Sequence, residues 1–182
     1  MKTKLKIILR LAALVFVLDH LTKALVDTYL PLGSEVTIIN GFFDLVHGRN
    51  TGAAFGVLSG WDSPWRNLFF YGIGVLACVF LYQYAKTIEE EDKISLSALG
   101  LILGGALGNL TDRFWRGSVV DFLSFHINNK IINTEIFGYH VVIPLTWPAF
   151  NVADIAITCA VVLLIIQNLR MSFVESQASS PE

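Results

Sequence analysis

Four long apolar runs dominate this chain, and few folds can accommodate them. They cover about residues 5–26, 67–85, 94–110 and 152–169. In a water-soluble domain apolar positions recur at the helical or strand period with polar residues between them, whereas here the runs are nearly continuous. At about 1.5 Å of rise per helical residue, runs of this length match a hydrocarbon layer roughly 30 Å thick. Composition agrees, with 54% hydrophobic and 15% charged residues, against roughly 25% charged in an average soluble domain. The expectation is a mainly α, integral membrane protein, one domain over residues 1–182. It is a four-transmembrane-helix bundle with a small extracytoplasmic β-element between spans one and two, an extended external segment between spans three and four, and a polar, disordered tail over about 175–182. The net charge of −2 singles out no partner, and no basic cluster points to nucleic acid.

Two stretches imitate sorting signals. Lys2, Lys4 and Lys6 before the first run resemble the start of a signal peptide, but no small-x-small site follows and the run carries Asp19, His20 and Lys23, so it reads as a retained first span. The same lysines place the N-terminus in the cytoplasm, and four crossings return the C-terminus there. Val75-Leu76-Ala77-Cys78 imitates a lipobox, yet it lies in the middle of the second run. Cys78 and Cys159, both inside apolar runs, read as packing residues.

Polar residues are scarce, so their positions carry information. Asp19 and Lys23 stand at i and i+4, acid first, the favourable order for a helical ion pair, and Asp27 continues the ladder. After span one, Val36–Ile39 and Phe42–His47 flank Asn40-Gly41, a strong hairpin signal. Asn50 and the small residues from Thr51 and Gly52 to Gly56 follow, either as a turn packed on the bundle or as backbone that lets something approach closely. On span three, Gly100, Gly104 and Gly108 form a close-packing stripe that ends in Asn109, Asp112 and Arg113. Asp121 comes next, between apolar neighbours, and Asn151 and Asp154 open span four. With the N-terminus inside, these polar groups converge at the outer face.

Each has a structural reading as well. Asn151 and Asp154 fit a helix cap with its carboxylate at N3, Asp112 fits an interfacial ion pair with Arg113, and Asp19 with Lys23 fits a pair pinning a helix end. Asp121 is harder to explain that way, because an unpaired acid in apolar surroundings has a raised pKa. Two acids held together share a proton: one can accept a proton from water while the other protonates a peptide carbonyl. His20, His47, His126 and His140 lack ligand spacing, so no metal is expected.

Five blocks in order, Asp19-x-x-x-Lys23, Asn50-Thr51-Gly52-Ala53-Ala54-Phe55, Gly104 to Arg113, Val119-Val120-Asp121-Phe122 and Phe150-Asn151-Val152-Ala153-Asp154, closely resemble the lipoprotein signal peptidases, or signal peptidase II, of bacteria. The resemblance implies an aspartic endopeptidase of the plasma (inner) membrane that cuts diacylglyceryl-modified prolipoproteins just before the lipidated cysteine, near the outer face. It needs no cofactor, has membrane lipid around it, and is expected to be a monomer. Asp121 and Asp154 look like its catalytic dyad. Asn50, Gly52, Asn109, Asp112, Arg113 and Asn151 look like site-shaping or substrate-holding residues, with Asp19 and Lys23 supporting the rim. One departure is the 33-residue spacing from Asp121 to Asp154, longer than many members have, with Asn128–Tyr139 extending an external segment, Phe122–Trp147, that carries β-prone pieces at Ile131-Ile132 and Tyr139–Ile143. The alternative is a non-enzymatic membrane protein, a small transporter or a lipid-binding scaffold, using the same acids for ion relay or structure.

Overall fold

The computed structural model describes residues 2–52 and 64–178. In chain order the elements are α1 (Lys2–Tyr29), β1 (Glu35–Ile39), β2 (Phe43–Asn50), α2 (Pro64–Thr87), α3 (Lys93–Arg116), β3 (Val119–Ile136), β4 (Tyr139–Thr146) and α4 (Val152–Ala178). Ala53–Gly56 of the small-residue run and the last four residues of the tail lie outside the described residues.

Among the described residues, three helices are long and apolar enough to cross a membrane, over Leu68–Thr87, Lys93–Arg116 and Val152–Phe173. The fourth, α1, has the length, at 28 residues, but Arg10, Asp19, Lys23 and Asp27 interrupt its apolar character. Large apolar side chains stand exposed all along α2, among them Leu76 and Phe80, as suits a surface solvated by lipid rather than water.

Glycine sets the spacing of the bundle. A Cβ at Gly104 would lie 2.6 Å from the Ala12 carbonyl oxygen of α1, and one at Gly105 would lie 2.6 Å from the Ala153 carbonyl oxygen of α4. Helix α3 therefore touches the backbones of both neighbours at once. At Gly108 the missing Cβ leaves room for something else, the Asp19 carboxylate, which a side chain there would meet at 2.6 Å.

The strands form one antiparallel sheet in the order β1-β2-β3-β4. Asn40-Gly41 makes the first turn, with Gly41 at φ 74°, but the connection is three residues rather than the two expected: Ile39 pairs with Phe43, and Phe42 closes the turn by donating its N–H to the Ile39 carbonyl at 3.0 Å. The extended segment between spans three and four is built on two strands, and the β-prone pieces Ile131-Ile132 and Tyr139–Ile143 fall within them. The first part of the 18-residue β3 pairs with β2, from Asn50↔Val119 to Phe43↔Phe125, and the rest pairs with β4 up to Ile136↔Tyr139. The segment Asn128–Tyr139 is the distal part of this β3–β4 hairpin.

Two expected boundaries are corrected. Helix α3 does not stop near Leu110 but runs to Arg116, where Gly117 at φ 72° caps it and donates its N–H to the Arg113 carbonyl at 3.1 Å. Asp112 and Arg113 are therefore consecutive residues on a helix and point apart, so the ion pair expected between them does not form. Helix α4 continues through Glu175 to Ala178, because nothing in that stretch breaks a helix before Pro181.

Candidate active site

The start of α4 is the point of convergence. Asn151 is its N-cap. Its Oδ1 accepts from the Asp154 N–H at 3.1 Å while Asp154 Oδ2 accepts from the Asn151 N–H at 3.2 Å, the reciprocal arrangement of a capping box. The Asn151 side-chain amide is left over, and its Nδ2 donates to Asp121 Oδ1 at 2.7 Å. One residue thus caps the helix and ties the two acids together. The cap reading and the functional reading of Asn151 and Asp154 describe the same geometry.

Asp121 reaches this point because β3 is clamped to the chain just before α4. Phe122 and Leu123 donate their N–H groups to the Phe150 carbonyl at 3.0 and 2.9 Å, and Phe150 returns one to Leu123 at 3.0 Å. No sequence signal marks this bridge. On the other side of Asp121, Asn50 at the end of β2 donates Nδ2 to Oδ2 at 3.1 Å and accepts the Gly52 N–H on Oδ1 at 2.9 Å. Arg113 secures that turn by donating to the Gly52 carbonyl at 2.7 Å, and its guanidinium lies over the Phe70 ring at 4.4 Å.

Beneath the acids lies a buried charge cluster. Lys23 is fully buried, and its ammonium has three N–H groups. It meets Asp19 Oδ2 at 2.7 Å, Asp112 Oδ2 at 2.9 Å and Asn109 Oδ1 at 2.9 Å, so every donor has an acceptor. Asn109 then donates Nδ2 to Asp154 Oδ1 at 2.9 Å. Lys23 is one amide away from Asp154. The Asp19–Lys23 pair forms at the expected spacing, but it sits at the centre of the bundle rather than at a rim, and the other oxygen of Asp19 accepts the Ala153 N–H at the start of α4, at 2.9 Å. Asp112 binds Lys23 and Arg116 in place of Arg113. Arg116 also reaches Asp27, as does Arg49 at 2.7 Å. The sequence reading missed Arg116 and Arg49, although the i, i+4 spacing of Asp112 and Arg116 was visible.

Asp121 is 5% exposed. Burial first, and then the charge of Asp154, push its carboxyl up from 3.8 to about 6, against the hydrogen bonds from Asn50 and Asn151 and the charge of Lys23. Both acids open onto a cavity of about 540 Å³, with Asn50, Asn109 and Arg113 at its polar end and Trp147, Phe150, Ile155 and Thr158 along its apolar wall. Cys159, expected to be packed, is exposed and lines this wall.

Helices able to cross a membrane, with two linked carboxyls on a cavity that has an apolar wall, give the arrangement a membrane-embedded enzyme requires. The sequence model described as Peptidase_A8, signal peptidase (SPase) II, matches residues 11–170. Proteins called lipoprotein signal peptidase are similar along most of their length. The one from Francisella tularensis subsp. novicida (strain U112) is 41% identical over 93% of this chain and 94% of its own. That of Maridesulfovibrio salexigens is 39% identical over 86% and 90%. A solved structure described as a bacterial membrane enzyme superposes with a TM-score of 0.72 at 31% identity, covering 96% of this chain and 92% of its own. The chain belongs to the signal peptidase II family and is a peptidase.

Proposed function

We propose that this protein removes signal peptides from diacylglyceryl-modified prolipoproteins, cutting just before the lipidated cysteine with Asp121 and Asp154 as an aspartic dyad. The observation that carries the reading is Asn151, which binds both acids at the head of one cavity. Burial favours a neutral Asp121, so Asp121 is assigned the acid's part and Asp154, which accepts from Asn151 and Asn109, the base's. Asp154 takes a proton from water as the water oxygen attacks the scissile carbonyl carbon, and Asp121 gives its proton to the carbonyl oxygen. The tetrahedral diol then collapses: one diol hydroxyl returns its proton to Asp121, the C–N bond breaks, and the nitrogen of the lipidated cysteine takes up the proton from Asp154, which restores both acids to their starting states.

In this reading Asn109 and Lys23 hold Asp154, while Asn50, Gly52 and Arg113 shape the opening where the substrate backbone lies. The wall along α4 from Ile155 to Cys159 gives the signal helix and acyl chains an apolar path. α1 is the remaining transmembrane span, with Asp19 and Lys23 buried against α3 and α4 rather than turned to lipid. Lys2, Lys4 and Lys6 keep both termini in the cytoplasm. The site then faces the outer side of the plasma membrane, one protomer suffices, and no cofactor takes part.

Cleavage of a diacylglyceryl-modified prolipoprotein by the purified protein in detergent tests the reading, beside Asp121→Asn and Asp154→Asn. Both variants are expected to bind substrate and to lose cleavage. Full cleavage by either one would remove the dyad.

A further inference from the structure

Asp27 continues the Asp19–Lys23 ladder one helical turn further along α1, and it does not line the cavity. Its carboxylate is where three elements meet. Oδ1 accepts from Arg49 Nη2 at 2.7 Å and lies 3.0 Å from His47 Nε2, while Oδ2 accepts from Arg116 Nε at 3.0 Å. Helix α1 thus holds β2 with one oxygen and the end of α3 with the other. Both arms lead on to the acids. Side chains alternate along a strand, so His47 and Arg49 turn to α1 while Asn50, the next residue, turns away and donates to Asp121 Oδ2 at 3.1 Å. On the other arm Arg116 joins Asp112, whose Oδ2 accepts the Val120 N–H beside Asp121 at 3.3 Å and meets Lys23 at 2.9 Å. Asn109 carries that contact from Lys23 to Asp154.

We propose that Asp27 is a positioning residue for both acids of the cavity, setting Asn50 against Asp121 through Arg49 and Asn109 against Asp154 through Arg116. It acts through other side chains and not on the reacting atoms. The side chains of Asp27, Arg49 and Arg116 are 22%, 29% and 26% exposed, so each pair alone adds little to stability. Their effect is on geometry. Strand β2 ends at Asn50, and Arg49 anchors that end to α1 one residue before the amide that must meet Asp121. A hydrogen bond weakens steeply with misalignment, so a strand end that shifts costs Asp121 its donor. The role needs two accepting oxygens. An amide at position 27 has one, and its NH2 faces a guanidinium that can only donate, so it serves one arm at most. The part Asp27 plays in cleavage rests on the peptidase reading, whereas its hold on the surroundings of Asp121 does not.

The test compares the parent with Asp27→Asn and Asp27→Glu in detergent, and its first readout needs no cleavage. The hydrogen bond from Asn50 favours the charged form of Asp121, whose carboxyl stands at about 6; loosening that bond raises the value further. A value raised by folding contributes stability that is complete below the ordinary carboxylate range and is lost as pH rises to the folded value. The pH at which the thermal midpoint levels off should therefore move up by about half a unit in Asp27→Asn. Loss of the Asp27 charge acting through space would move it down, because a nearby anion favours the protonated acid. Asp154, Asn151 and Lys23, which also act on Asp121, are the same in every variant. Asp27→Glu keeps both oxygens and should return the plateau to its parental pH. In cleavage of a diacylglyceryl-modified prolipoprotein, Asp27→Asn should lower kcat about tenfold with KM within about twofold. A plateau that stays or moves down in Asp27→Asn would overturn the proposal, as would failure of Asp27→Glu to restore it. So would an unchanged kcat, or a defect confined to KM, beside an active parent. An inactive parent whose plateau still moves up on Asp27→Asn would sink the peptidase reading and leave the hold on Asp121 standing.

Discussion

Replacing Asp121 with Asn should make the protein more stable at neutral pH, and the gain can be worked from the structure. The carboxyl sits about two pH units above its ordinary value, at about 6 against 3.8. Between those values the folded state binds more protons than the unfolded one, so stability falls as pH rises through that window. At about 1.4 kcal/mol per pH unit, ionising Asp121 costs the fold about 3 kcal/mol by pH 7. Asn cannot ionise. It does lose something, because its NH2 faces one of the two amide donors, Asn50 or Asn151, that now hold the carboxylate oxygens. A lost hydrogen bond of about 1 kcal/mol leaves a net gain of about 2 kcal/mol. For a chain of this size that is about 4–8 °C in the unfolding midpoint. The assay is thermal unfolding in detergent from pH 4 to pH 8, parent beside Asp121→Asn. The parent should lose stability above about pH 4 and level off above about pH 6, while the variant holds its midpoint over that range, so the gap opens with pH. A variant equally or less stable than the parent at every pH would refute the claim that Asp121 is ionised against its surroundings.

Lys23→Met should be far more damaging than its distance from the cavity suggests. It strands Asp19 and Asp112, both fully buried, and removing one partner from a buried ion cluster costs about 3–5 kcal/mol. Yield and midpoint in detergent would reveal it, and a loss under about 1 kcal/mol would contradict the saturated ammonium described above. Asn109→Ala should leave the fold intact and lower kcat about a hundredfold with little change in KM, since it releases Asp154 from Lys23. A change confined to KM would assign Asn109 to substrate binding instead. Among the glycines, Gly104→Ala should destabilise by about 1–3 kcal/mol, because the new methyl meets the α1 backbone. Gly72→Ala, where nothing lies within 4 Å of the new atom, should gain about 0.5–1 kcal/mol; equal effects at the two positions, read by unfolding, would contradict the packing described.

Properties set within a few residues of chain were legible in the sequence. The three most apolar runs give helices because their length and hydropathy leave backbone hydrogen bonds no other partner in lipid. Asn40-Gly41 fixes the first hairpin through its backbone conformation, Asp19 and Lys23 meet because they are one helical turn apart, and Asn151 with Asp154 caps α4 by local geometry. The family blocks could be read as well, because they are short and ordered. Long-range partners could not be read this way. The end of α3 depended on the cap at Gly117, and its six extra residues turned Asp112 toward Lys23 and away from Arg113. That β3 would pair with β2 and bridge to Phe150, bringing Asp121 to Asn151, rests on backbone hydrogen bonds whose donors and acceptors look alike everywhere in the chain. The contact of Asp19 with the Ala153 N–H spans 134 residues and exists because Gly104, Gly105 and Gly108 let α3 bring α1 and α4 together. Local spacing determines which groups a helix or turn presents. Only the packing of those elements determines which groups meet, because it sets distances that no neighbouring residue encodes.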